Sequence, residues 1–157
     1  MPGIFNLNSA GNLLEKLEWE YQNLLGEKEN GYVAYNFFVT AWHLLEWKFP
    51  DPDGKEIRKS IKSDSVLLQI CDYLAVGAKH FEPCGKRHKS VDKSKKGGVW
   101  ADDAWAPRVW ADGTWATWLE IHLSGEAAEQ FGSVIKLEDF ASEVMKFWRG
   151  FTPPSTK

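Results

Sequence analysis

Residues 32 to 49, YVAYNFFVTAWHLLEWKF, would be apolar over most of the girth of a helix. Phe38, Trp42 and Leu45 fall on one stripe, and Phe37, Ala41 and Leu44 broaden it. A helix of this kind cannot keep one face in water and needs other elements around it, so it is expected at the centre of a bundle. Asn30-Gly31 marks a turn before it, and PDPDG, Pro50 to Gly54, ends it, because proline removes a donor and clashes with the preceding turn.

Its neighbours are legible in the same period. A first helix is expected to begin near Ser9 to Asn12, where Asn12 and Glu15 have the spacing of a capping box. Leu14, Leu17, Tyr21, Leu24 and Leu25 recur at helical intervals, and Gly26 supplies a stop. Lys55 to Lys62 reads as a short helix or a loop. A third strong helix is capped by Ser63 or Asp64 and carries Leu67, Ile70, Leu74, Ala78 and Phe81, with Pro83 stopping it soon after His80. A last helix runs from about Glu138 with Phe140, Val144, Phe147 and Trp148 as its apolar stripe, closed by Gly150 and Pro153.

Between these helices the period changes to two. VWADDAWAPRVWADGTW, Val99 to Trp115, contains nearly the same phrase twice, ten residues apart. Asp112-Gly113 suits a type I′ turn, which needs positive φ at both central positions. Pairing about that turn sets Trp110 opposite Trp115, and a turn at Asp102-Asp103 would pair Trp100 with Trp105 in the same way. Alternation then places Trp110 and Trp115 with Leu119, Ile121 and Leu123 on a core face. Trp100, Trp105 and Trp118 fall on the other, with Val109, Glu120 and His122.

The fold class expected is mainly α, or α+β. It is one domain over residues 1 to 157, with a helical part at 9–81 and 138–150, a basic loop at 82–97 and a small Trp-rich β-meander at about 98–123, inserted before the last helix. No run of apolar residues is long enough to span a bilayer, and the amino-terminal stretch has neither the basic flank nor the apolar core of a secretory signal. Two cysteines, Cys71 and Cys84, make no disulfide framework. A reduced, cytoplasmic protein without membrane attachment is the expectation, and no cofactor or metal is called for.

Charge is unevenly spread. Lys79, Lys86, Arg87, Lys89, Lys93, Lys95 and Lys96 stand against Glu82 and Asp92, a local charge of +5 that leaves −8 on the rest of a chain whose net charge is −3. Such a segment is either a solvated loop or an anion-binding patch. Lys86, Arg87 and Lys89, with Trp100, Trp105 and Trp118, are therefore candidates for binding a ligand or nucleic acid, since aromatic rings stack bases while cations hold phosphates. The Trp-rich face serves equally as packing surface or dimer interface. His80, with Lys79 and His88, is the candidate catalytic group, because histidine exchanges protons near neutral pH beside cations able to hold a phosphate. His43 and Glu46, three apart on a helix, form a candidate orienting pair. The His80-x3-Cys84-x3-His88 spacing lacks the close ligand pairs usual for zinc.

The helical half, Leu13 to Phe81 plus the terminal helix, with CDYLAVGAKHF ending its third helix, resembles HEPN-type proteins. These are small bacterial helical bundles of toxin–antitoxin and phage-defence systems. The resemblance implies a four-helix bundle, often a homodimer, and in many members a metal-independent RNase using arginine and histidine spaced R-x4-6-H. His80 stands at the histidine position, while Ala75, Leu74 and Tyr73 stand where the arginine would be. The leading expectation is therefore a binding or interaction protein contacting nucleic acid or a protein partner through the basic loop and the Trp-rich sheet. The alternatives are an RNase using His80 and a structural or assembly subunit without ligand chemistry.

Overall fold

The computed structural model describes residues 7–79, 91–97, 109–111, 114–116 and 118–154. Among them the chain is mainly helical with a small antiparallel sheet component. The helices are α1 (Ala10–Gly26), α2 (Gly31–Lys48), α3 (Lys55–Ser63), α4 (Val66–Lys79), α5 (Gly125–Phe131) and α6 (Leu137–Gly150). The strands are β1 (Val91–Gly97), β2 (Val109–Ala111), β3 (Thr114–Ala116), β4 (Trp118–Leu123) and β5 (Val134–Lys136). No described helix is long and apolar enough to cross a membrane.

Three helices, α1, α2 and α4, start where a side chain accepts from a free N–H group, whereas α3, α5 and α6 start without a side-chain cap. Ser9 caps α1, its Oγ accepting from Asn12 N at 3.1 Å, so the helix begins within the expected Ser9 to Asn12 window, with Ser9 rather than Asn12 as the cap. Asn12 instead continues the network, its side-chain amide donating to Glu15 at 3.4 Å. Asn30 caps α2 by accepting from Tyr32 N and Val33 N, which makes Asn30-Gly31 a helix start rather than a free turn. At α4 the hydroxyl of Ser65 accepts from Leu68 N at 3.3 Å, one or two residues after the caps expected at Ser63 or Asp64. Gly132, at φ +88, ends α5 in a backbone conformation that glycine adopts without strain.

α2 packs against α1 and α4 and buries Phe37, Phe38, Ala41, Leu44 and Leu45, but it is not enclosed as expected: Tyr32, Tyr35, His43, Glu46 and Trp47 keep one face in water, because the buried stripe alone meets the other helices. Phe38 stacks on Phe140 of α6 with ring centroids 5.8 Å apart, and Phe131 of α5 meets Phe140 edge-on at 5.5 Å. Leu13, Leu17 and Leu24 bring α1 into the same core, and Val144, Met145 and Trp148 bring α6. Two carboxylates are buried with cations beside them. Glu20 is paired with Lys16, which also donates to Thr40 Oγ1 at 2.7 Å, and Asp72 is paired with Lys62.

α3 buries no residue. It is tied down by polar contacts: Lys62 reaches Asp72 and lies 5.0 Å over the Trp42 ring, Arg58 donates to Phe49 O and Asp51, and Gln69 donates to the carbonyls of Lys62 and Ser63.

The strands form two antiparallel sheets, one ordered β1-β4-β5 and one pairing β2 with β3. In the second, Trp110 is the register partner of Trp115, as the Asp112-Gly113 turn predicted. The first sheet departs from expectation. Val91–Gly97, read as part of a basic loop, forms β1 and pairs along the whole of β4. Alternate burial of apolar β4 residues gives this strand a reason to recruit whatever extended segment lies nearest, and lysine is tolerated at a sheet edge. On the other side β5 pairs with β4 and runs directly into α6, with Lys136 both ending the strand and standing at the helix N-cap position.

Candidate functional site

The sequence WLEIHL of β4 alternates, and the period of two sorts it onto two faces. Ile121 and Leu123 are buried and Leu119 packs against the core, as expected. Trp118, Glu120 and His122 occupy the opposite face and are only partly buried.

These three side chains form one chain of hydrogen bonds. The indole Nε1 of Trp118 donates to Glu120 Oε2 at 3.1 Å, and Glu120 Oε1 lies 2.9 Å from His122 Nε2. Both carboxylate oxygens are thus engaged by ring nitrogens. The carboxylate is the more enclosed group, with 12% of its side chain exposed against 21% for His122. Nε2 faces the carboxylate, which leaves Nδ1 as the ring nitrogen for other partners.

Cross-strand register sets lysine positions opposite this relay. Glu120 stands opposite Lys95 of β1 and Lys136 of β5, and His122 stands opposite Lys93 and Val134. Directly opposed residues in antiparallel strands share a face. The Lys136 ammonium lies 5.0 Å from the centroid of the Trp118 ring, a cation–π contact that holds it above the relay. The register thus sets Glu120 among three positions held by lysine, with Asp92 at the register shift next to Lys93. The chemical capabilities of the face are to attract an anion, to donate from an imidazole and to present an aromatic ring.

Of the candidates drawn from sequence, Trp118 belongs to this face. His43 and Glu46 lie on exposed positions of α2, one turn apart, with no hydrogen bond between them. Lys79 is the last residue of α4. His80, Lys86, Arg87, His88, Lys89, Trp100 and Trp105 lie outside the described residues. Among the described residues no cluster of three or more His, Cys, Asp or Glu could hold a metal ion. Sequence reasoning put Glu120 and His122 beside Trp118 but gave them no role. The available signal was Trp-x-Glu-x-His on a strand, a spacing that places an indole donor, a carboxylate and an imidazole in one row.

Comparison of the chain with protein-family models, with curated proteins and with solved structures found no match.

Proposed function

We propose that this chain is a binding protein on a HEPN-like bundle, of the bacterial defence or toxin–antitoxin kind, that holds nucleic acid through its lysine-rich segment and sheet. The observation carrying this reading is the outer face of the β1-β4-β5 sheet. Lys93, Lys95 and Lys136 occupy register positions around Glu120 and His122, beside a partly exposed Trp118. Cations for phosphates and an aromatic ring for a base are the two components of sequence-tolerant single-strand binding. β1 is continuous in sequence with the basic stretch that begins at Lys79, so both belong to one cationic tract.

The test is binding of labelled RNA and DNA across a salt series. Each neutralised phosphate on a single strand contributes a slope of about −0.7 to log K against log salt. Lys93→Gln and Lys95→Gln are each expected to flatten that slope by about one contact. Binding indifferent to salt, or absent, removes the reading. RNA degradation in EDTA that is lost with His80→Ala would replace it with the metal-independent RNase. Self-association through the tryptophans with no nucleic-acid binding would replace it with the assembly subunit.

A further inference from the structure

We propose that His122 is an anion-binding residue that takes a phosphate oxygen on its Nδ1–H, with Glu120 and Trp118 as the residues that position it. The inference rests on the reading of this sheet face as a contact surface and names the group at its centre.

A carboxylate in the middle of a phosphate-binding face is at first sight misplaced, since two anions repel. The geometry of Glu120 removes the objection. One of its oxygens takes the Trp118 indole N–H at 3.1 Å, the other meets His122 Nε2 at 2.9 Å, and its side chain is 12% exposed. Its charge is spent on its own strand. His122 is the more exposed of the pair, and its ring is oriented because the carboxylate holding it is itself held by the indole. In the complex the ring bridges two anions, with Nε2 toward Glu120 and Nδ1–H toward the phosphate.

The surroundings favour an anion over other ligands. Lys93 is the register partner of His122, Lys95 and Lys136 are those of Glu120, and the Lys136 ammonium is already poised over Trp118 at 5.0 Å. A neutral sugar or an apolar peptide has no use for this charge. A phosphate group, free or in a nucleic-acid backbone, suits both the imidazole and the Lys136 ammonium.

Two probes separate these sources: inorganic phosphate, and a single-stranded oligothymidylate. Both are titrated into the full-length chain while the His122 ring nitrogens are followed by nitrogen-15 NMR and oligonucleotide affinity by fluorescence anisotropy. The expected result is that each probe shifts His122 Nδ1 and that His122→Gln weakens oligonucleotide binding about tenfold. Glu120→Gln should weaken it several-fold while His122 remains observable as a folded-state resonance with a smaller phosphate-induced shift. A purely structural role for Glu120 would change stability and leave that shift intact. If neither probe moves the His122 ring, the inference is overturned. Salt-dependent oligonucleotide binding with a silent His122 does the same, and leaves the broader nucleic-acid reading standing. A His122 shift with phosphate, but no oligonucleotide binding, upholds the anion site and removes the nucleic-acid reading.

Discussion

Arg149, in the last turn of α6, donates from Nε and Nη2 to the two carboxylate oxygens of Glu18 on α1, at 2.7 and 2.6 Å. This two-point clamp joins helices 131 positions apart in the chain. Arg149 holds the Glu18 carboxyl below its ordinary range, chiefly through the hydrogen bond, against a smaller opposing effect of burial. A carboxylate whose folded-state pKa is depressed adds stability above its unfolded value, near 4.3, and loses it as pH falls through the folded value. The stability difference between the parent and Glu18→Gln is therefore expected at neutral pH and should vanish on acidification. A double-mutant cycle with Arg149→Met should return about 0.5 kcal/mol, the scale of a partly exposed pair.

Gly54 is fixed by crowding. A β-carbon there would lie 2.7 Å from the Pro50 carbonyl oxygen and closer still to the backbone of Phe49. Backbone atoms cannot swing aside as a side-chain end does. Gly54→Ala should therefore cost at least about 2 kcal/mol, read as a lowered denaturant midpoint, and should loosen the start of α3.

Phe140 joins three elements, stacking on Phe38 of α2 and meeting Phe131 of α5 edge-on. Phe140→Ala removes both contacts and leaves a cavity at a fully buried site. The expected loss is about 3–5 kcal/mol in equilibrium unfolding.

Cys71 is fully buried on α4, and burial, with the neighbouring Asp72 charge adding to it, pushes its thiol far above the ordinary range. Thiolate is the reactive form. In a Cys84→Ser background, Cys71 should resist a thiol reagent in the folded protein and label fully in denaturant. Rapid labelling without denaturant would show that α4 opens locally.

Lys62 secures α3 through Asp72 and the Trp42 ring. Lys62→Ala should raise amide exchange across residues 55–63 well before the other helices respond, since α3 contributes no buried residue to the core. The Asp72 carboxylate, nearly buried, would lose its cation, so a cost of about 1–3 kcal/mol is expected as well.

The helices α1, α2, α4 and α6 are legible because their positions are set by local rules, whereas α3 reads equally as a loop and the short α5 carries no period long enough to mark it. The broad stripe of Phe37, Phe38, Ala41, Leu44 and Leu45 marks the buried face of α2, though apolar girth overstates it since Tyr32 and Trp47 stay exposed, and the spacing of Phe140, Val144 and Trp148 marks the buried face of α6. Caps were less secure: Ser9 and Ser65 each compete with polar neighbours a few residues away, and local pattern does not rank them. The Trp110–Trp115 register followed from the chemistry of one turn. β1 was not legible. Lysines and serine predominate in Val91–Gly97, and only pairing with β4, more than twenty residues later, makes the segment a strand. The Trp118–Glu120–His122 relay shared that difficulty, since its faces are visible in sequence but its hydrogen bonds depend on which strands flank it.

The joint at Lys136 bears on how the molecule would feel an event at its sheet. The residue that places an ammonium over Trp118 is followed immediately by the first residue of α6, with no loop between strand and helix. A connecting segment normally absorbs small movements through its own torsions; here the strand end and the helix start share a backbone. Any displacement of Lys136 would therefore act directly on the first turn of a helix whose far end is clamped to α1. The sheet and the bundle are thus one lever, with its load applied at Trp118 and its anchor at Glu18.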